Sequence, residues 1–176
     1  MLDMMALVEP LIPALRRYAR SLLRDRVAAD DLVQDCLERV IGRWHQRRTD
    51  GDARTWVFTI LHNLAINQLK QNARRGAPVT IEEVDEAAFA SAPAQEDGLH
   101  VRAVLNALDS LPEDQRSVLL LVSVEGLSYA ETATVLDIPL GTVMSRLSRA
   151  RHRLSRLLEE GPSRPAVGAT VLRRIK

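Results

Sequence analysis

Between Gly141 and Arg156 the chain carries arginines at 146, 149, 151, 153 and 156, together with His152, and no carboxylate. A guanidinium presents a planar fork of donors that fits two acceptors at once, on a guanine edge or on a phosphate. The spacing then decides where these groups point. At about 100° per residue, Val143, Leu147, Ala150, Leu154 and Leu157 fall on one helical stripe. Ser145, Arg149, His152 and Arg156 fall opposite, with Arg146 and Arg153 flanking and Thr142 one turn before Arg146. The segment before it reads as a helix start, because Ser128 and Glu131 have capping-box spacing after Gly126. Asp137-Ile-Pro139 then interrupts the chain, and Ala133, Ile138 and Val143 are small or apolar where two crossing helices would touch. A short helix, a tight turn and a longer Arg-faced helix make a helix-turn-helix pattern. The competing reading is a plain helical hairpin with a solvated arginine face.

A second cluster has the opposite sign. Asp31, Asp35 and Glu38 stand at i, i+4 and i+7, with Gln34 beside them. Paired carboxylates raise the question of metal binding or acid–base catalysis. This row lies opposite the apolar stripe of Leu32, Val33, Cys36, Leu37, Val40, Ile41 and Trp44, so it faces outward. Helical-bundle metal sites project their carboxylates inward. An outward row suits a basic or polar protein partner instead, the competing reading being a solvated face. The four histidines (45, 62, 100, 152) are scattered, and no zinc spacing, phosphate-cradling glycine loop or Ser/His/Asp constellation occurs. The expectation is a protein with no catalytic activity, no metal and no cofactor.

A third face belongs to a helix expected from about residue 53 to 72. Its outer side is read as Thr55, Thr59, His62, Asn63 and Lys70, interrupted by Ile66, with Trp56 at the border and Arg74 and Arg75 continuing. Uncharged hydrogen-bonding groups beside an indole suit unstacked bases, each stacked base contributing about 1–3 kcal/mol. Trp56 as a core residue is the competing reading.

The elements that must position these groups are helices. Leu7, Leu11, Leu15, Tyr18 and Leu22 mark a first one, irregular at Pro10 and Pro13; a second opens at Asp30. Thr49-Asp-Gly-Asp52 is a loop signal. Further helices are expected at 99–109, 112–125, 128–136 and 140–158. Aromatics are only 3% of the 176 residues against 46% hydrophobic, so the cores must be aliphatic. Apolar runs such as Val118 to Val122 are far short of a membrane span, and the start of the chain shows no secretion signal. One cysteine, Cys36, excludes a disulfide scaffold and points to a reducing, cytoplasmic setting. The net charge of +1 hides segregation: residues 79–98 hold six acidic and no basic residues, whereas 54–75 carry only positive charge. We read 77–98 as a flexible acidic linker, able to span about 80 Å when extended. It separates a module at 1–76 from one at 99–160, followed by an unstructured tail at 161–176. The fold class expected is all-α, with two small helical domains.

Five motifs occur in a telling order: Asp30-Asp-Leu-Val-Gln-Asp-Cys-Leu-Glu38, Arg54-Thr-Trp-Val-Phe-Thr-Ile-Leu-His-Asn63, Leu111-Pro-Glu-Asp-Gln-Arg116, Glu125-Gly-Leu-Ser-Tyr-Ala-Glu131 and Gly141-Thr-Val-Met-Ser-Arg-Leu147. Together they resemble the extracytoplasmic-function (group 4) sigma factors of bacterial RNA polymerase, over residues 5 to about 158. The segment Leu11-Ile-Pro-Ala-Leu-Arg-Arg-Tyr-Ala-Arg-Ser-Leu22 is similar to the alphaproteobacterial general-stress subgroup. The resemblance implies that the first module is region 2, docking Asp31, Gln34, Asp35 and Glu38 on the polymerase β′ clamp. Its third helix, with Trp56, Thr59, His62, Asn63, Lys70, Arg74 and Arg75, would capture the −10 element. The second module would be region 4, touching the β flap and reading the −35 element with Thr142, Ser145, Arg146, Arg149 and Arg153. An anti-sigma factor is the implied regulatory partner. Met144 departs from the basic residue that many relatives carry there, and Thr59 from the Arg that some carry. The alternatives are a sigma mimic that sequesters an anti-sigma factor, and a stand-alone helix-turn-helix regulator.

Overall fold

The computed structural model describes residues 2–47, 52–75 and 95–159, and every regular element among them is helical. Side chains are described from residue 4, and in the second module from residue 101. The first module holds α1 (Leu2–Val8), α2 (Ile12–Leu23), α3 (Arg26–Arg43) and α4 (Ala53–Arg75), with single 3-10 turns at Glu9–Leu11 and Trp44–Gln46. Pro10 and Pro13 account for the break between α1 and α2, each near a helix start where its missing amide costs nothing. Leu15, Tyr18 and Leu22 are buried as their spacing requires. Leu7 is 42% exposed, and α1 buries Met4 and Val8 instead.

Helix α3 opens earlier than expected. Asp25, in extended backbone, is its N-cap and accepts from the Ala28 amide at 2.9 Å. Asp30 lies inside the helix, ion-paired with Arg20 at 3.1 Å. Asp52 performs the same capping service for α4, accepting from the Thr55 amide and hydroxyl, both at 3.0 Å. Residues 48–51, most of the expected loop, lie outside the described residues. Cys36 is fully buried, its thiol donating to the Val57 carbonyl at 3.8 Å and pushed up to about 12 by burial.

In the second module α5 (Gln95–Asp109) begins at Gln95 rather than residue 99, so residues 95–98, expected in the linker, are helical. The rest of the linker and the tail from Gly161 lie outside the described residues. Helix α6 (Glu113–Leu119) runs into a π-helical turn over Leu120–Val124, where the Glu125 amide donates to the Leu120 carbonyl at 2.9 Å. Gly126 ends it at φ +69°. A Cβ there would meet nothing within 4 Å, so conformation and not space requires glycine. Then come α7 (Tyr129–Leu136) and α8 (Leu140–Glu159). The capping box forms in full: the Ser128 hydroxyl accepts from the Glu131 amide at 3.2 Å, and the Glu131 carboxylate from the Ser128 amide at 2.6 Å. Asp137, at φ 52°, turns the chain, and the Ile138 amide closes α7 on the Ala133 carbonyl at 3.1 Å. Val143, Leu147 and Ala150 are buried against Leu111, Val118 and Leu119. This is a helix-turn-helix.

The modules are not apart. One apolar core joins them: Leu120, Leu121, Leu127 and Val135 are buried with Leu15, Tyr18, Val57, Phe58 and Leu61. The π turn has a physical consequence here. Its wider winding lets adjacent residues of one apolar run serve two cores, with Val118 and Leu119 turned to α8 and Leu120 and Leu121 turned to the first module. The run Val118–Val122, continuous in sequence, is therefore a shared wall of both. Among the described residues no helix is long and apolar enough to cross a membrane.

Candidate nucleic-acid and partner-binding surfaces

Helix α8 lays its side chains out as its stripe requires. Ser145, Arg149, His152, Arg153 and Arg156 are exposed, while Thr142 and Arg146 are half-buried. The Ser145 hydroxyl donates to the Thr142 carbonyl at 3.1 Å, which holds its oxygen at the helix surface as an acceptor. Arg146 is oriented by its neighbour: its Nε lies 3.2 Å from an Asp114 carboxylate oxygen on α6. Arg149 and Arg153 lie one turn apart with no carboxylate beside them on α8, a cationic strip that a major groove can admit. Beside it, Tyr129, Met144, Leu147, Ser148, Arg151 and His152 line a shallow hollow of about 480 Å³.

On α3, Asp31, Gln34, Asp35 and Glu38 are all exposed, and the Gln34 amide donates to Glu38 at 3.2 Å. Sequence reasoning missed two members of this face. Val27 is 66% exposed and Ile41, expected in the core, is 57% exposed. With Asp31, Gln34 and Glu38 they complete a row at i, i+4, i+7, i+11 and i+14, apolar at its ends and acidic in the middle. The i, i+4 spacing is visible in the sequence. What hides Ile41 is that the α3 stripe is already closed by Val40, which is fully buried. Among the described residues no group of three or more His, Cys, Asp or Glu could hold a metal ion.

The α4 face is only partly as expected. Asn63, Lys70, Arg74 and Arg75 are exposed. Trp56 is half-buried, its ring meeting Trp44 edge to face at 6.0 Å, and the half-buried Thr59 donates to the Thr55 carbonyl at 2.8 Å. Thr55 and His62 do not face outward: they are 8% and 9% exposed. His62 packs on Tyr18, sharing a hydrogen bond of 3.0 Å between Nδ1 and the phenol oxygen. It stands one turn after the fully buried Phe58, at the edge of the α4 stripe, so its contact with Tyr18 takes it inside.

Burial lowers the His62 imidazole from its ordinary 6.5 to about 4. The folded chain therefore holds the neutral ring, whereas the unfolded chain takes up a proton once the pH falls below about 6.5. The folded state should be fully supported above that value and lose on the order of 3 kcal/mol as the pH drops toward 4. Urea unfolding of wild type and His62→Gln at pH 7 and 4.5 checks this. The variant should show a shallower acid loss, and parallel losses would contradict it.

Nothing in the spacing of the chain marks Glu125 as a structural centre. Its side chain is 1% exposed and takes both Arg17 donors, Nε at 3.0 Å and Nη2 at 2.7 Å, across 108 positions of chain. Arg54, lying over the Phe58 ring at 5.8 Å, donates to the Glu125 backbone carbonyl. Arg24, the left-handed C-cap of α2 at φ 58°, meets Asp109 at 3.1 Å and also donates to its carbonyl.

A four-helix module carrying an outward acidic face, joined to a helix-turn-helix with an arginine face, is the two-part plan of a promoter-specificity subunit. Family comparison agrees with it module by module. Residues 8–62 match the sigma2 domain of PhyR, and residues 101–154 match sigma-70 region 4. The ECF RNA polymerase sigma factor EcfG of Rhodopseudomonas palustris is 36% identical over 150 residues, covering 84% of this chain and 80% of that protein. Among solved structures, the sigma factor RpoE in complex with the anti-sigma factor NepR from Bartonella quintana is 32% identical with a TM-score of 0.76. That match covers 90% of this chain and 98% of the other. The anti-anti-sigma factor PhyR of the same organism, complexed with NepR, shares the fold at a TM-score of 0.56 and 18% identity, covering 89% of this chain and 50% of that one. The chain belongs to the family of ECF RNA polymerase sigma factors.

Proposed function

We propose that this sigma factor binds core RNA polymerase through the Val27–Ile41 face of α3, seating it on the β′ clamp. Its α4 face then captures the −10 element and α8 reads the −35 element, with region 4 also touching the β flap. The observation that carries this is the pair of uncovered faces of opposite sign: Asp31, Asp35 and Glu38 on one module, Arg149 and Arg153 on the other. An acidic face does not hold DNA, and an arginine face without carboxylates does. In α4 we assign the strand contacts to Trp56, Thr59, Asn63, Lys70, Arg74 and Arg75. His62 acts through the core and not on a base. Domain limits of 1–76, 77–98, 99–160 and 161–176 suit this division, with the helical start at Gln95 shortening the linker. We assign the protein to the cytoplasm, without catalytic activity of its own, and to the general-stress subgroup, for which the likeness to EcfG and to RpoE bound by NepR speaks. A NepR-like anti-sigma factor is the regulatory partner this implies.

One observation favours a second reading, a sigma mimic: the first module matches the PhyR sigma2 domain. A mimic needs no base-reading helix, and the intact arginine face of α8 argues against it. A stand-alone regulator would bind its operator without polymerase. Run-off transcription with core polymerase separates the three, since only a sigma factor yields a promoter-dependent product.

A further inference from the structure

At the edge of the α8 arginine face stands a group that charge alone does not explain. Asp114, in the first turn of α6, puts a carboxylate beside Arg146. A carboxylate next to a DNA-binding face repels phosphates, so its presence there needs a compensating role. The fold does not supply that role. The two side chains are 47% and 30% exposed, and an ion pair so open to water contributes little stability. The geometry does supply one. Asp114 is held at both oxygens: Oδ1 accepts from the Gln115 amide at 2.9 Å, and Oδ2 lies 3.2 Å from the Arg146 Nε. The contact is made at the stem end of the guanidinium, so the two Nη nitrogens remain as a fork for another pair of oxygens.

Position on the helix says which oxygens. At about 100° per residue, Arg146 lies about 60° around α8 from Arg149, toward the buried Val143 and Ala150. A helix fills most of a major groove about 12 Å wide, so its central residues meet base edges and its flanks meet the backbone. We propose that Asp114 is a positioning residue for promoter binding, fixing the Arg146 guanidinium so that its Nη fork takes a backbone phosphate beside the −35 element. The proposal rests on the reading of α8 as the −35 helix. Asp114 itself touches no DNA. It acts before DNA arrives, because an arginine already held in one rotamer loses less freedom on binding than one that samples many. Its charge opposes the phosphates throughout, and the benefit exceeds that repulsion only while Arg146 is there to be held.

The test measures binding of the holoenzyme, core polymerase with the full chain, to a labelled promoter duplex, alongside the melting temperature of each chain. Removing Asp114 makes the chain one unit more positive, which by itself strengthens binding to DNA. Asp114→Ala should nonetheless weaken binding by about threefold to tenfold, the effect of leaving one long side chain unordered. Arg146→Ala should weaken it equally for every base substitution in the −35 element, and lower the logarithmic salt slope by about 1. With Arg146 already alanine, Asp114→Ala should change sign and strengthen binding, as loss of a repelling charge does. Tighter binding of Asp114→Ala in the otherwise unaltered chain would overturn the proposal. So would weakening in both backgrounds in step with a lower melting temperature, the mark of plain scaffolding. A loss at Arg146→Ala confined to one −35 base pair would make it a base reader and overturn the phosphate assignment. The unaltered holoenzyme on the same substituted promoters tests the reading beneath. If no −35 substitution matters there, the −35 role of α8 falls, while the change of sign, if seen, still upholds Asp114 as the residue that aims Arg146 at DNA.

Discussion

Reversing the charge at Asp31, Asp35 and Glu38 together should weaken binding to core polymerase by about a hundredfold or more, while the chain stays folded. All three carboxylates are exposed on α3, and the Glu38 contact with Gln34 is itself at the surface. Substitutions at such positions usually shift stability by less than about 0.5 kcal/mol. At an interface the same change replaces three attractions by three repulsions, and close charge pairs are worth about 1.5 kcal/mol or more each. The apolar ends of the row sharpen the expectation. Val27→Ser and Ile41→Ser should weaken binding without altering its salt dependence, whereas the carboxylate reversal should alter both. Titration of labelled protein into core polymerase at two salt concentrations reads the difference, and an unchanged dissociation constant would remove the docking role from α3.

Arg149→Ala should cut transcription from a −35-dependent promoter by about tenfold to a hundredfold, because one bidentate guanine contact is worth about 1–3 kcal/mol. Thermal stability should hardly move, since the side chain is exposed and its backbone lies mid-helix, where alanine is favourable. Arg146 gives the useful contrast. Its ion pair with Asp114 ties it to α6, so Arg146→Ala should lose both activity and some stability. A pure stability loss at Arg149 would return it to scaffolding. A uniform loss across all −35 variants would make it a phosphate contact instead of a base reader.

Local features are legible in the chain. The Ser128–Glu131 box, the Gly126 stop, the Asp137–Pro139 break and the Val143–Leu147–Ala150 stripe each depend on residues a few positions apart, and each forms as spacing requires. The outward carboxylate row is readable for the same reason. Long-range facts are not. Glu125 finds Arg17 across 108 positions, and no periodicity encodes that meeting. His62 stands one turn after the fully buried Phe58, at the edge of the α4 stripe, where its polar type suggests the outside and its contact with Tyr18 on α2 takes it inside. Likewise Asp25 outcompetes Asp30 as the α3 cap because Arg16 and Arg20 on α2 engage Asp30 within the helix. The separation into two modules is visible from charge; their closure on a shared aliphatic core is not.

Promoter-dependent run-off transcription tests the central claim most directly. Core polymerase alone should be silent on a template bearing paired −35 and −10 elements, and addition of this chain should produce one transcript of defined length. Altering the bases of either element should abolish it. Core polymerase that remains silent on the host's own promoters with the chain present would contradict the account.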